Sequence, residues 1–96
     1  MNISFSRQAE ADLDATYAYI AADDPVAADR IIHRILQAIA VLEDFPLLGR
    51  EGQIDGTREF SIARLPFVAV YHIVDETEIR VITVIHTARK YPPDGT

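Results

Sequence analysis

Two adjacent β-type runs constrain the fold of this chain more than any other feature of its sequence. The runs Phe67–Val74 and Ile79–His86 are rich in β-branched and aromatic residues, and Asp75–Glu78 between them is polar. This pattern predicts an antiparallel hairpin. Residues 68–73 and 81–85 are apolar on both faces of their strands, which is typical of central strands covered on both sides. The rest of the chain must therefore pack around this hairpin.

Two shorter runs predict the remaining strands of the sheet. Asn2–Phe5 and Thr57–Ile62 alternate apolar and polar residues, which is the pattern of a half-buried strand. Phe45–Gly52 is interrupted by one proline and two glycines and is predicted to be a loop. The sheet is therefore expected to contain the hairpin and these two flanking strands.

Two helices are predicted upstream of the hairpin. Ser6 is a suitable N-cap for the first helix, which is expected to end near Ala22. The pair Asp24–Pro25 restarts the helical pattern, with an aspartate N-cap and a proline at the first helical position. The second helix is expected to run for about eighteen residues, a rod of roughly 27 Å. A break this short forces the two helices into an antiparallel hairpin.

Each helix carries an apolar stripe at helical spacing. We interpret the stripes mainly as core, although the abundance of isoleucine leaves part of the second stripe available to a partner. The stripe residues are Ala9, Leu13, Tyr17 and Ile20 in the first helix, and Ala28, Ile31, Ile32, Ile35, Ala38, Ile39 and Leu42 in the second.

Composition excludes several classes of protein. The length of 96 residues predicts one domain, residues 1–96. Because the chain has no cysteine, disulfides, thiolate metal sites and a cysteine nucleophile are excluded. No apolar run approaches the roughly 20 residues of a membrane helix, and Met1–Arg7 lacks the basic-then-apolar order of a signal peptide. We therefore expect a cytoplasmic protein without a membrane partner.

The net charge of −6 is distributed unevenly along the chain. Residues 1–57 hold four arginines against ten acids, whereas residues 58–93 carry a net charge of +1. An acidic body repels phosphate backbones at long range and attracts basic partners. Any contact with nucleic acid is therefore expected to be local and confined to the end of the sheet.

Motifs for metal, cofactor or nucleophilic chemistry are not found in the sequence. The three histidines are His33, His72 and His86, and no HxH, HExxH or cysteine partner supports a metal site. His33 is expected on the surface of the second helix. There is no G-x-S-x-G elbow, and the four glycines are too scattered to form a phosphate-binding loop. We predict neither a metal nor a cofactor.

Cationic and aromatic residues gather at one end of the predicted sheet. Arginine binds phosphate or carboxylate through paired hydrogen bonds, and tyrosine or histidine stacks on bases or acts as acid and base. Such a set could hold and cleave RNA by activating a ribose 2′-hydroxyl. Alternatively, the arginines pair with local acids such as Glu59 and Asp55, and the first tyrosine is core. The set consists of Arg58, Arg64, Tyr71, His86, Arg89, Lys90 and Tyr91.

Short motifs follow one another in a definite order along the chain. They are Leu13-x-x-x-Tyr17-x-x-Ile20, Asp24-Pro25-x-Ala27-Ala28, Leu42-x-x-Phe45-Pro46-x-x-Gly49-Arg50, Arg58-Glu59-Phe60, Pro66-Phe67-x-x-x-Tyr71 and Ile82-x-x-Ile85-His86-x-x-Arg89-x-x-Pro92. In this order, and from Phe5 to Pro93, the chain resembles the ParE/RelE superfamily of toxins from type II toxin–antitoxin modules. No single motif is specific, but the whole series is.

The resemblance implies a fold and a partner. The fold is α+β, with an N-terminal antiparallel helical hairpin packed on a mostly antiparallel four-stranded sheet. The partner is an antitoxin whose C-terminal segment wraps the toxin by strand addition or helix-in-groove docking, so a hetero-oligomeric toxin–antitoxin complex is expected. The antitoxin contacts that we predict are Ile31, Ile35, Val70 and Ile82.

The superfamily has two branches with different chemistry. ParE-like members poison DNA gyrase by binding it and have no catalytic residues. The Asp-Pro-x-Ala-Ala, Pro-x-x-Gly-Arg and His-x-x-Arg motifs favour this branch. It implies that gyrase is contacted by Arg58, Arg64, His86, Arg89 and Tyr91.

The alternative is a RelE-like endonuclease that cleaves mRNA on the ribosome. That branch implies catalysis by Arg64, His86, Arg89 and Tyr91. The chain departs from it because Thr57–Ile62 offers only Arg58 where RelE-like members carry lysines. A third possibility is a small interaction module without toxic action.

Overall fold

Two α-helices and five strands make up the part of the chain that the structure, a computed structural model, describes, namely residues 1–88. The strands and helices, in chain order, are β1 (Asn2–Phe5), α1 (Arg7–Ala21), α2 (Pro25–Ala40), a 3₁₀ turn (Val41–Glu43), β2 (Arg50–Glu51), β3 (Arg58–Ser61), β4 (Phe67–Ile73) and β5 (Glu78–His86).

Local capping interactions set the start of both helices, as the sequence predicts. The Ser6 hydroxyl accepts a hydrogen bond from the Ala9 amide at 3.0 Å, which satisfies one free N–H at the start of α1. The Asp24 carboxylate does the same for the Ala27 amide at 3.0 Å. Because α2 restarts so soon after α1 ends, the helices form the predicted hairpin.

The sheet has the strand order β1-β5-β4-β3-β2. β1 runs parallel to β5, and all other neighbours are antiparallel. The α+β fold with a helical hairpin on a mostly antiparallel sheet is therefore confirmed. The sheet has five strands rather than four because Arg50–Glu51, predicted as loop, pairs with β3. A strand of two residues is too short to show an alternating pattern in the sequence.

An irregularity interrupts the central hairpin. Val70 pairs with Thr83 but Tyr71 pairs with Val81, so Ile82 has no partner on β4. Such an extra residue bends a strand and increases its twist. The Ile82 carbonyl turns to the opposite edge, where it accepts a hydrogen bond from the Ser6 hydroxyl at 2.5 Å.

Helix α1 covers the part of β5 that β1 does not reach. β1 ends at Phe5, which pairs with Val81, so the outer edge of β5 beyond this point lacks a strand. The Asp12 carboxylate of α1 accepts a hydrogen bond from the Val84 amide at 3.0 Å and another from the Thr83 hydroxyl. The helix thereby satisfies a strand edge that would otherwise be open.

The main core lies between the helices and one face of the sheet. It is formed by Ala9, Ile35, Ile39, Leu42, Ile62, Phe67, Ala69, Tyr71, Ile79, Val81 and Val84. Successive side chains of a strand point to opposite faces, so Val68, Val70 and His72 occupy the far face of β4. No helix within residues 1–88 is long and apolar enough to cross a membrane.

Candidate functional site

The end of the sheet brings together two of the predicted site residues. Arg64 lies exposed in the turn between β3 and β4, with a left-handed φ of 66°. His86 ends β5 and pairs with Phe67, and the Thr87 amide donates to the Pro66 carbonyl at 2.8 Å. The turn and the end of β5 are thus held side by side. The predicted residues Arg89, Lys90 and Tyr91 lie outside the described part of the chain.

The His86 ring is fixed by two contacts. It stands edge-on to the Phe67 ring, with centroids 5.2 Å apart and planes at 84°. Its Nδ1 accepts a hydrogen bond from the Ala88 amide at 3.1 Å. The ring is half-buried, so Nε2 is the ring nitrogen left for a contact with another molecule.

A shallow cleft beside His86 contains the remaining polar groups of this region. The cleft has a volume of about 210 Å³ and is also lined by Arg50 and Glu59. Glu59 is buried, and its two carboxylate oxygens accept from Arg50 Nη2 and from the Gln53 amide, each at 3.0 Å. With both oxygens engaged, this carboxylate holds the loop between β2 and β3 in place.

Arg58 does not belong to the same end of the sheet. It begins β3 and pairs with Tyr71, whereas Arg64 lies beyond the other end of that strand. Its Nη1 donates to the Gly49 carbonyl at 2.7 Å. The prediction that Arg58 belongs to the cluster is therefore wrong. The alternative prediction, that Arg58 pairs with Glu59, is also wrong, because Glu59 binds Arg50 instead.

Tyr71 is a core residue with a buried polar end. Its hydroxyl donates to the Pro46 carbonyl at 2.7 Å and accepts from the Gly49 amide at 3.0 Å. Burial raises the pKa of Tyr71, while the Gly49 amide and the Arg58 charge oppose that rise. A Cβ at Gly49 would come within 2.7 Å of the tyrosine ring, so this position requires glycine. We call the segment so held, Phe45–Gly49, the clamped turn.

The clamped turn exposes three large apolar side chains that the sequence reading did not single out. Phe45, Leu47 and Leu48 are 60%, 66% and 53% exposed. The signal in the sequence was an apolar run within a predicted loop, where polar residues are usual. Clusters of exposed apolar side chains mark sites of protein interaction more often than single ones do.

A second apolar surface is a groove between α1 and the end of the hairpin. Its volume is about 560 Å³, and the sheet contributes Phe67, Val84 and His86 to its lining. Ile31 of α2 lines it as well, so one of the predicted antitoxin contacts borders an open groove. A volume of this size accommodates several apolar side chains of a peptide.

The other predicted antitoxin contacts lie in three different environments. Ile82 is half-buried at the irregularity of β5. Ile35 and Val70 are 0% and 1% exposed, Ile35 in the main core and Val70 on the far face of β4. Neither side chain is exposed to a partner, so Ile35 and Val70 are core residues rather than the predicted antitoxin contacts. A helical stripe does not reveal from sequence which of its members the sheet covers.

The histidines do not form a common site. His72 pairs with Arg80 near one end of the hairpin, while His86 pairs with Phe67 at the other, and His33 is exposed on α2. Within residues 1–88 there is no group of three or more histidine, cysteine, aspartate or glutamate side chains that could hold a metal ion.

Comparison with known proteins agrees with this architecture. The family model described as "ParE toxin of type II toxin-antitoxin system, parDE" matches residues 3–91. A protein of Sinorhizobium fredii (strain NBRC 101917 / NGR234) named "Putative toxin Y4kP" is 41% identical over 80 residues, which are 83% of this chain and 81% of that protein. A solved structure titled "Chromosomal ParDE TA system from P. aeruginosa" superposes with a TM-score of 0.78 at 27% identity, covering 90% of this chain and 95% of the other.

Proposed function

The chain belongs to the ParE toxin family of type II toxin–antitoxin systems, and from this membership we propose that it inhibits DNA gyrase by binding it and is neutralised by a cognate antitoxin. The observation that carries the proposal is the family match, which extends over residues 3–91 and so includes both helices and all five strands apart from the first residue of β1. A cytoplasmic location is part of the proposal, because gyrase acts on chromosomal DNA.

The hydrogen bonds that the polar side chains make within the protein support binding rather than catalysis. Arg58 and Glu59 hold loops through short hydrogen bonds, so neither is free to act on a substrate. Arg64 is exposed and His86 presents only one ring nitrogen. We assign Arg64 and His86 as gyrase contacts, and extend the assignment to Arg89 and Tyr91, which lie beyond the described residues.

The groove between α1 and the hairpin end is the proposed docking site of the antitoxin. It is open and apolar, and Ile31 and Val84 line it. Residues 1–57 carry most of the acidic charge of the chain. An antitoxin segment with apolar side chains for the groove and lysine or arginine beside them would match this surface in both respects.

The test is a supercoiling assay with purified gyrase. We expect the protein to reduce supercoiling or to trap cleavage complexes in a dose-dependent way, and the cognate antitoxin to reverse the effect. Gyrase that supercoils normally at a large excess of the protein would contradict the proposal. Ribosome-dependent mRNA cleavage measured in parallel would then support the endonuclease, for which the cleft lined by His86 and the exposed Arg50 is the favouring observation.

A further inference from the structure

The clamped turn, Phe45–Gly49, combines exposed apolar side chains with a fixed backbone. The Leu48 amide donates to the Phe45 carbonyl at 3.1 Å, which closes the turn. Two residues outside the turn, Tyr71 and Arg58, add three further hydrogen bonds to its backbone. A buried tyrosine and an arginine therefore fix the shape of a segment whose own apolar side chains face solvent.

This arrangement is poorly explained by the stability of the isolated chain. Phe45, Leu47 and Leu48 are each more than half exposed, so they contribute little to the core. A rigid backbone is advantageous for binding, because side chains that are already positioned lose less entropy when a partner covers them. The clamped turn therefore has the properties of a preorganised docking surface.

Acidic side chains border the turn on both sides. Glu43 and Asp44 precede it and are exposed, and Glu51 follows it. Arg50, the cation nearest in sequence, pairs with Glu59 at 3.0 Å. Arg58 and the Met1 ammonium also contact this segment, at the carbonyls of Gly49 and Glu43, so its acidic character is confined to the exposed carboxylates. These carboxylates complement a protein that offers an apolar recess with lysine or arginine at its rim.

We propose that the clamped turn is a further surface, besides Arg64 and His86, through which this toxin binds its protein target, and that the target offers such a recess. The inference rests on the proposed function, since gyrase binds DNA and enzymes that bind DNA carry positively charged surfaces. The turn follows the C-terminal end of α2. Ile31 in the groove and Val41 before the turn are ten residues apart, or roughly 15 Å along a helix axis. The clamped turn is thus separate from the antitoxin groove.

The first experiment removes the apolar side chains of the turn. Leu47→Ser combined with Leu48→Ser should raise the concentration for half-maximal inhibition of supercoiling roughly tenfold or more. Binding of the antitoxin should change less than about twofold, because the groove is intact. Val26→Ser is the matched control, since Val26 is 71% exposed and lies in the first turn of α2, at the other end of that helix.

The second experiment reverses the acidic border. The double variant Glu43→Lys with Asp44→Lys should weaken inhibition of gyrase. The control is Asp23→Lys with Glu76→Lys, which changes the net charge by the same amount. Its two positions lie in the α1–α2 and β4–β5 connections, away from the turn. Greater loss for the border variant than for its control is expected at low ionic strength, where charge pairs are least screened.

The outcomes separate this inference from the proposed function. If the wild-type protein inhibits gyrase and the leucine variant inhibits it equally well, the inference is wrong. If the wild type does not inhibit gyrase but arrests growth on expression, the proposed target is wrong, and the same variants are compared by growth arrest. If the leucine variant no longer arrests growth while its Val26→Ser control still does, the turn is supported as a target surface. If the leucine variant still arrests growth, the inference is wrong. If the wild-type protein neither inhibits gyrase nor arrests growth, both the proposed function and the inference about the turn are wrong.

Discussion

At the scale of single residues, the most consequential position is Tyr71. It lies in β4, yet its hydroxyl organises a turn more than twenty residues earlier by bonding to Pro46 and Gly49. The ring leaves no space for a side chain at Gly49. One buried tyrosine thus links the core of the sheet to the shape of an exposed turn.

We predict that Tyr71→Phe lowers the free energy of unfolding by about 1–3 kcal/mol, because it leaves the Gly49 N–H and the Pro46 carbonyl without their partner. Urea denaturation followed by circular dichroism measures the change. Tyr19→Phe is the control, since Tyr19 is 83% exposed and its substitution should change stability by less than about 0.5 kcal/mol. Equal effects at the two positions would show that the hydroxyl of Tyr71 contributes nothing to the fold.

The predictability of individual residues follows the range of their interactions. Ser6 and Asp24 were predicted as caps because each bonds to an amide three residues away. The cross-strand pair Arg50–Glu59 and the reach of Tyr71 to Gly49 depend on the register of distant segments, which the sequence alone does not reveal. For the same reason, the sequence predicts Arg58 and Arg64 in one cluster, although the two lie at opposite ends of β3.

At the scale of elements, α1 has two roles. It packs against α2 in the hairpin, and through Asp12 it satisfies the edge of β5 where β1 has ended. The strands and helices were predictable because each carries its own periodic pattern. The strand β2 has no such pattern and is therefore not predicted by the sequence. The contact between α1 and the edge of β5 arises only when the whole sheet is assembled.

We expect Asp12→Ala to destabilise the protein by about 1–3 kcal/mol, because the Val84 amide loses its acceptor. Asp14→Ala is the control, because this aspartate of the same helix is exposed. The two variants are compared by urea denaturation, and hydrogen exchange at Val84 reports the local effect. Unchanged protection of that amide in Asp12→Ala would contradict this role of α1.

The hydrogen bonds in the connection between β4 and β5 predict that stability depends on pH in the acid range. Asp75 accepts hydrogen bonds from the Thr77 amide and hydroxyl at 2.8 Å and from the Glu78 amide at 3.0 Å. The bonds from Thr77 are the main reason that the pKa of Asp75 is below its ordinary value of 3.8. A hydrogen bond from Ser4 and the charge of Arg80 likewise lower the pKa of Glu78 from its ordinary 4.5.

Because the folded pKa values are depressed, both carboxylates stabilise the protein fully above pH values near their ordinary pKa. This contribution is lost as the pH falls through the lower folded values. Asp75→Asn should therefore reduce the decrease in thermal stability seen on acidification below about pH 4. Thermal denaturation from pH 6 to pH 2.5 measures it. A wild type and a variant with parallel profiles would rule out a role for Asp75.

At the scale of the whole molecule, two apolar surfaces lie towards opposite ends of α2. The groove is bordered by α1 and the end of the hairpin, and the clamped turn follows the 3₁₀ turn after α2. The overall fold was predictable because patterns and motif order agree along the entire chain. The two apolar surfaces were not predictable from the sequence, because the exposure of an apolar residue depends on what the assembled sheet and helices leave uncovered.

Because the clamped turn is separate from the groove, we predict that a substitution in the groove affects antitoxin binding more than inhibition of gyrase. Ala15→Glu places a charge in the groove and should weaken antitoxin binding roughly tenfold or more, because a carboxylate is costly to desolvate against apolar side chains. Inhibition of gyrase should be reduced less than antitoxin binding, because the clamped turn is intact. Ala18→Glu is the control, since Ala18 is exposed on the same helix outside the groove. Titration calorimetry with the antitoxin measures the affinity, and equal loss in both variants would argue against the groove.

The parallel pairing of β1 with β5 also dictates when the toxin acquires its structure during synthesis. Ser4 bonds to Glu78 and Ser6 to Ile82, contacts that span 74 and 76 residues. While the chain is being made, β1 therefore leaves the ribosome long before its partner strand exists. Contacts so distant in sequence also form slowly. The nascent chain can begin its helical hairpin at once, but a complete toxin appears only after β5 has been translated. The groove lined by Val84 and His86 can therefore form only at that stage.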